Sequence, residues 1–161
     1  MSALTQAFEA ARARRARVVF PELGEDARID AAATRLRAEG LAEPVGLADV
    51  SAAQVAALVE ARGVKEALAR RMLGRPLFRA AAMVAAGEAE AMVAGAVAPT
   101  KKVIEAAGIA IGLAEGGTTA SSFFLMRFPD GRELIFADCG LNVDPDAAQL
   151  ADIARASAVT G

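Results

Sequence analysis

Residues Ala89–Thr100, AEAMVAGAVAPT, decide how the chain folds. The apolar run Met92-Val93-Ala94 reaches a glycine, small residues follow, and Thr100 stands beside Lys101 and Lys102 ahead of an apolar periodic stretch. That pattern predicts a buried strand, a tight small-residue loop and a helix start at about 100 able to hold an anion. With Thr100 as N-cap, its hydroxyl and the following amides point donors at a ligand, the helix dipole assists, and the same donors suit an oxyanion in acyl transfer. The plainer alternative is an ordinary cap with two solvated lysines. Gly95 lacks the spaced glycines of a dinucleotide fingerprint, which argues against dehydrogenase- or kinase-type α/β domains.

Outward from this stretch, strand and helix signals alternate. Arg17 to Pro21 reads as a first buried strand ended by proline. A helix over about 26–39 is closed by Gly40, and Pro44 to Leu47 is a weak second strand. Ser51 caps a helix that stops at Gly63, and a helical pattern resumes from Val64 to Leu73. Pro76 opens the helix before Gly87. The helix after Thr100 is expected to end at Gly108. Ser121–Phe128 and Glu133–Ala137 flank Pro129-Asp130-Gly131 as a hairpin, and a last helix begins at Asp144-Pro145-Asp146. The expected class is α/β, a mostly parallel sheet with flanking helices, plus a β-hairpin and helix that begin a second unit. The expected boundaries are 1–113 for an α/β phosphate-site domain and 118–161 for the hairpin-helix segment of an incomplete second domain.

Composition narrows the function. The 161 residues carry a net charge of -2, which disfavours a nucleic-acid or anionic-membrane surface. No apolar run is long enough to cross a bilayer. The single Cys139 leaves no intrachain disulfide and makes the cytoplasm the default compartment. It reads as a small buried residue. The absence of histidine removes the commonest general base and His-ligated zinc. Asp138 and Asn142 are too few oxygen ligands for a metal and read as turn formers. Arg28, one turn into the helix after the first strand, either holds a phosphate at the sheet's carboxyl edge or is a solvated charge.

The ordered set Val18-Val19-Phe20-Pro21-Glu22 with Glu25-Asp26 and Arg28, Gly87–Ala96, Ser121–Met126, Phe136-Ala137-Asp138-Cys139 with Asn142 and Pro145, Ala151–Ala154 and Ala156–Ala158 resembles the phosphate acetyltransferase / phosphate butyryltransferase family. The resemblance implies acetyl transfer between coenzyme A and inorganic phosphate, with no metal and no bound cofactor. Coenzyme A or acetyl-CoA, acetyl phosphate and phosphate are then the substrates. It implies two α/β domains with the site in the cleft between them, commonly in a homodimer. It assigns Thr100 a catalytic role and Arg28, Gly95, Lys101 and Lys102 substrate contacts. The chain departs from the pattern in three ways: it has about half the usual length, the segment between Leu47 and Arg62 is short with Arg62 only near the family arginine, and Glu105 stands where a further arginine is expected. A non-catalytic paralogue that binds an acyl-CoA or a partner is the alternative. The phenylalanine-rich hairpin is expected to expose apolar surface covered by another copy or a complementing chain.

Overall fold

The computed structural model describes residues 2–160. It divides into two compact units, one from Phe8 to Gly112 and one holding the chain before Phe8 with the chain from Leu113 on.

The larger unit is built on a three-stranded parallel sheet ordered β2-β1-β3, with β1 Arg17–Val19 central, β2 Glu43–Val45 on one side and β3 Ala91–Met92 on the other. Parallel strands need crossovers. Here α1 (Ala3–Arg14) precedes β1, α2 (Ala27–Ala38) links β1 to β2, and α3 (Ala52–Arg62), α4 (Glu66–Leu73) and α5 (Pro76–Ala85) intervene before β3. Pro44 is tolerated because β2 is an edge strand that needs no donor there. Ser51 caps α3 by accepting the Gln54 N–H, and Gly63 ends it in the left-handed region at φ 62°. Pro76 occupies the first turn of α5, where a missing N–H costs nothing.

Two apolar clusters hold the unit. Val19, Ala80, Met83 and Ala89 pack α5 onto the sheet. Val55, Leu58, Leu73, Phe78, Ala81, Ala106 and Ala110 join α3, α4, α5 and α6 (Thr100–Ala110). The many alanines let helices approach closely, so the few large buried side chains carry most of the burial.

Two details of α6 differ from the sequence expectation. Thr100 does not cap it: Pro99, extended at φ -61° and ψ 140°, is the N-cap residue and supplies no side-chain hydrogen bond. The helical register starts one residue early because Pro99 O already accepts from Lys102 N at 2.8 Å. Nor does Gly108 end it. Ala110 is buried at 1% exposure against the helix cluster, Arg62 hydrogen-bonds the carbonyls of Gly108 and Ile109, and Gly112 makes the left-handed stop at φ 82°.

In the other unit, β4 (Phe123–Arg127) and β5 (Glu133–Ala137) form an antiparallel hairpin that pairs Phe124 with Phe136. Asp130 fixes its turn by accepting from Arg132 N at 3.0 Å. Helix α7 (Ala147–Thr160) begins on a reciprocal cap: Asp146 Oδ1 accepts from Gln149 N, and Gln149 Oε1 accepts from Asp146 N. Phe123, Phe124, Leu125, Leu134 and Phe136 are exposed. Cys139, expected to be buried, is exposed as well. The turn that follows β5 is wound around Asp138, which leaves the thiol on the outside donating to Phe136 O. Among the described residues no helix is long and apolar enough to cross a membrane.

Candidate functional site

The strand order β2-β1-β3 means that the chain leaves β1 in one direction and later returns on its other side. The loops at the carboxyl ends of β1 and β3 therefore meet at a topological switch point, where open α/β sheets leave a crevice. The first of these loops is Phe20–Asp26 and the second Val93–Pro99.

Glu22 joins them. The residue is 9% exposed, and its carboxylate accepts four backbone N–H groups of the second loop. Oε1 receives Gly95 at 3.4 Å and Val97 and Ala98 at 3.0 Å, and Oε2 receives Ala96 at 3.1 Å. Burial opposes ionisation, but the four amides outweigh it and hold the carboxyl below its ordinary value. The loop can turn this tightly because Gly95 sits at φ 115°, a conformation that side chains disfavour.

Beside this joint lies a cavity of about 560 Å³ with apolar walls from Pro21, Pro76, Leu77, Val97 and Pro99, and with charged groups at Arg75, Lys102, Glu22 and Glu25. Few convergent polar groups on an apolar wall is the usual make-up of a small-molecule site. Arg75 precedes α5, and its guanidinium lies 4.3 Å from the centre of the buried Phe78 ring. That stacking places the group at the cavity, where its charge adds to that of Lys102 on the Glu105 carboxyl. Lys102 Nζ is 2.8 Å from Glu105, whose carboxyl it holds below the ordinary value.

The residues singled out in the sequence divide between cavity and rim. Lys102 lines the cavity. Gly95 sits in the joint itself, through its amide. Arg28 reaches across to Ala96 O at 2.9 Å, but its guanidinium also grips Asp26 at 3.0 and 2.7 Å. Thr100 and Lys101 are exposed and lie outside the residues that line the cavity. Among the described residues no cluster of metal-ligating side chains occurs.

Glu22 and Arg75 are among the lining residues that sequence reasoning did not single out. Glu22 was quoted only as part of a motif, and no local pattern shows that its partners lie 73 to 76 residues away. Arg75 did leave a signal. A cation at a helix N-terminus opposes the macrodipole, so an arginine directly before Pro76 calls for a reason other than helix stability.

Hydrogen bonding from the Arg28 side chain and N–H holds the Asp26 carboxyl at about 2, against an ordinary 3.8. A carboxyl depressed by folding contributes stability above its unfolded pKa and loses it as pH falls through the folded one. The Asp26–Arg28 clasp and the Arg28–Ala96 bond should therefore be intact at pH 5 and weaken between about pH 4 and 2. The Asp26 carboxyl carbon shift followed by NMR checks this; a midpoint near 4 would contradict it.

A family model described as phosphate acetyl/butaryl transferase matches residues 48–160. A phosphate acetyltransferase of Paracoccus denitrificans is 38% identical over 181 aligned positions, covering 98% of this chain and 57% of the relative. One from Haemophilus influenzae is 35% identical, covering 95% of this chain and 25% of that protein. The crystal structure of a phosphotransacetylase from Streptococcus pyogenes superposes with a TM-score of 0.83 at 27% identity, over 96% of this chain and 56% of that one. The chain thus spans about half the length, or less, of these relatives.

Proposed function

This chain belongs to the phosphate acetyl/butaryl transferase family, and from that premise we propose that it supplies one wall of a site that moves an acetyl group between coenzyme A and inorganic phosphate. The observation that carries the reading is the cavity at the carboxyl ends of β1 and β3, apolar on its walls and with Arg75 and Lys102 among its lining. An acyl phosphate has the matching chemistry: a short apolar group joined to a dianion. Attack of the coenzyme A thiolate on the acetyl carbonyl forms the thioester and expels phosphate. The cations bind the phosphate and offset charge on the leaving group. Arg28, Gly95, Lys101 and Thr100 border this wall and are proposed as its further contacts, with Thr100 nearest to a reacting-group role.

Transfer depends on fixing two substrates in register, so one wall alone is expected to lose most of the rate. We place the protein in the cytoplasm, in keeping with its single cysteine. It works as a homo-oligomer or with a complementing chain, and the exposed phenylalanines of the hairpin support that.

The test mixes this chain with a second chain carrying the part of the Paracoccus relative beyond the match. Formation of acetyl-CoA from acetyl phosphate and coenzyme A is followed by thioester absorbance, and association by size exclusion. The expected result is negligible turnover from the chain alone and measurable turnover, with co-elution, from the mixture. Robust turnover by the chain alone overturns the one-wall reading.

A second reading, a non-catalytic acyl-CoA- or partner-binding module, is favoured by one observation. Lys102 and Arg28 are each engaged by a carboxylate, Glu105 and Asp26, which lowers the positive charge available to a dianion. Saturable acetyl-CoA binding by the isolated chain with no turnover in the mixture would favour it; absence of saturable binding removes its acyl-CoA form.

A further inference from the structure

We propose that Glu22 is a resident anion: it fills the anion-binding loop Gly95–Ala98 from within the chain, so that a substrate's phosphate is received by the cavity's cations and not by those amides. Glu22 is on this account a positioning residue. The proposal rests on the preceding reading only in treating the loop as a wall of the substrate site.

Successive backbone N–H groups that converge on one point form a nest that binds carboxylate or phosphate oxygens. Here they converge on Glu22, whose two oxygens take all four N–H groups of residues 95–98. A carboxylate delivered by the chain itself loses no translational freedom on binding. Its effective concentration far exceeds that of a dissolved anion, so phosphate does not displace it. The same four donors make it a poor proton acceptor, which excludes it as the general base.

Two consequences follow. The loop keeps its ligand-ready shape without ligand, because its amides are already paired. The positive groups left for a phosphate in the cavity are Arg75 and Lys102, which line the same cavity as Glu22.

The asymmetry of the contacts supplies a specific test by amide NMR. Oε1 has three donors and Oε2 only Ala96 N. In Glu22→Gln the carboxamide oxygen is expected to keep the three-donor side, and its NH2 then faces Ala96 N–H. The Ala96 amide should shift most of the four. In Glu22→Ala all four signals should shift, and sodium formate should return them saturably, while formate leaves the wild-type signals in place. Inorganic phosphate added to the wild-type chain should move signals at Arg75 and Lys102 and not at residues 95–98.

The proposal is overturned if phosphate moves the 95–98 amides of the wild-type chain saturably, if formate does not restore the Ala variant, or if Ala96 is not the most shifted amide in the Gln variant. Should the Ala variant fail to fold, the Gln and wild-type arms still decide. None of these readouts needs turnover, so failure of acetyl transfer leaves this test intact.

Discussion

Phe78→Ala is expected to remove about 3–5 kcal/mol from the unit spanning Phe8–Gly112, the largest loss of any single truncation there. Phe78 is 1% exposed and is the largest of the fully buried side chains. Its neighbours Ala81, Ala82, Ala106 and Ala110 are already small and fixed on helix backbones. They cannot move in to fill the space, so the cavity term adds to the lost transfer energy. Domain stabilities are typically about 5–15 kcal/mol, so the variant should lie near its unfolding threshold. Arg75 also loses the ring it stacks on. With no Trp or Tyr in the chain, urea unfolding is best followed by far-UV circular dichroism. A loss below about 1.5 kcal/mol with an unchanged denaturant slope would contradict this account.

Asp138→Ala is expected to release the chain on both sides of the hairpin. Asp138 accepts from the Ser122 N–H and hydroxyl, from Leu141 N at 3.1 Å, and from Asn142 N at 2.6 Å and Nδ2 at 2.8 Å. One carboxylate thus fixes the entry to β4 and the exit from β5, and its bond from the Ser122 hydroxyl, more than any other contact, holds its pKa far below the ordinary value. Alanine leaves those donors unpaired together. Amide exchange over residues 120–142 should accelerate about tenfold or more, while residues of the Phe8–Gly112 unit keep their protection. Asp138→Asn retains one oxygen and should fall between. Unchanged protection in the alanine variant would show that the turn is held by other means.

The order of strands and helices was legible because its signals are local. A run of apolar residues ended by proline or glycine marks β1 and β3 of the parallel sheet. Ser51 and Asp26 cap their helices by bonds two or three residues long. Pro129-Asp130-Gly131 closes the hairpin where the turn chemistry requires. Such features need only the chain's own dihedral and hydrogen-bonding preferences.

Where α6 ends was not legible, because that boundary depends on a partner from elsewhere. The last turn persists past Gly108 on the burial of Ala110 and on Arg62, which arrives from α3. The exposure of Cys139 likewise follows from the turn around Asp138, not from the residue's own preference for burial.

The Ala89–Thr100 stretch holds both kinds of information. Its order of apolar, small and hydroxyl residues determined by itself that a strand runs into a tight loop and then a helix. Only the tertiary structure decided what the loop's amides bind. Their partner is Glu22, brought alongside because β1 and β3 are adjacent and parallel in the sheet. A nest shows in sequence only as small residues, since its donors are backbone groups common to every residue. The anion it holds is chosen by which strand packs next to it.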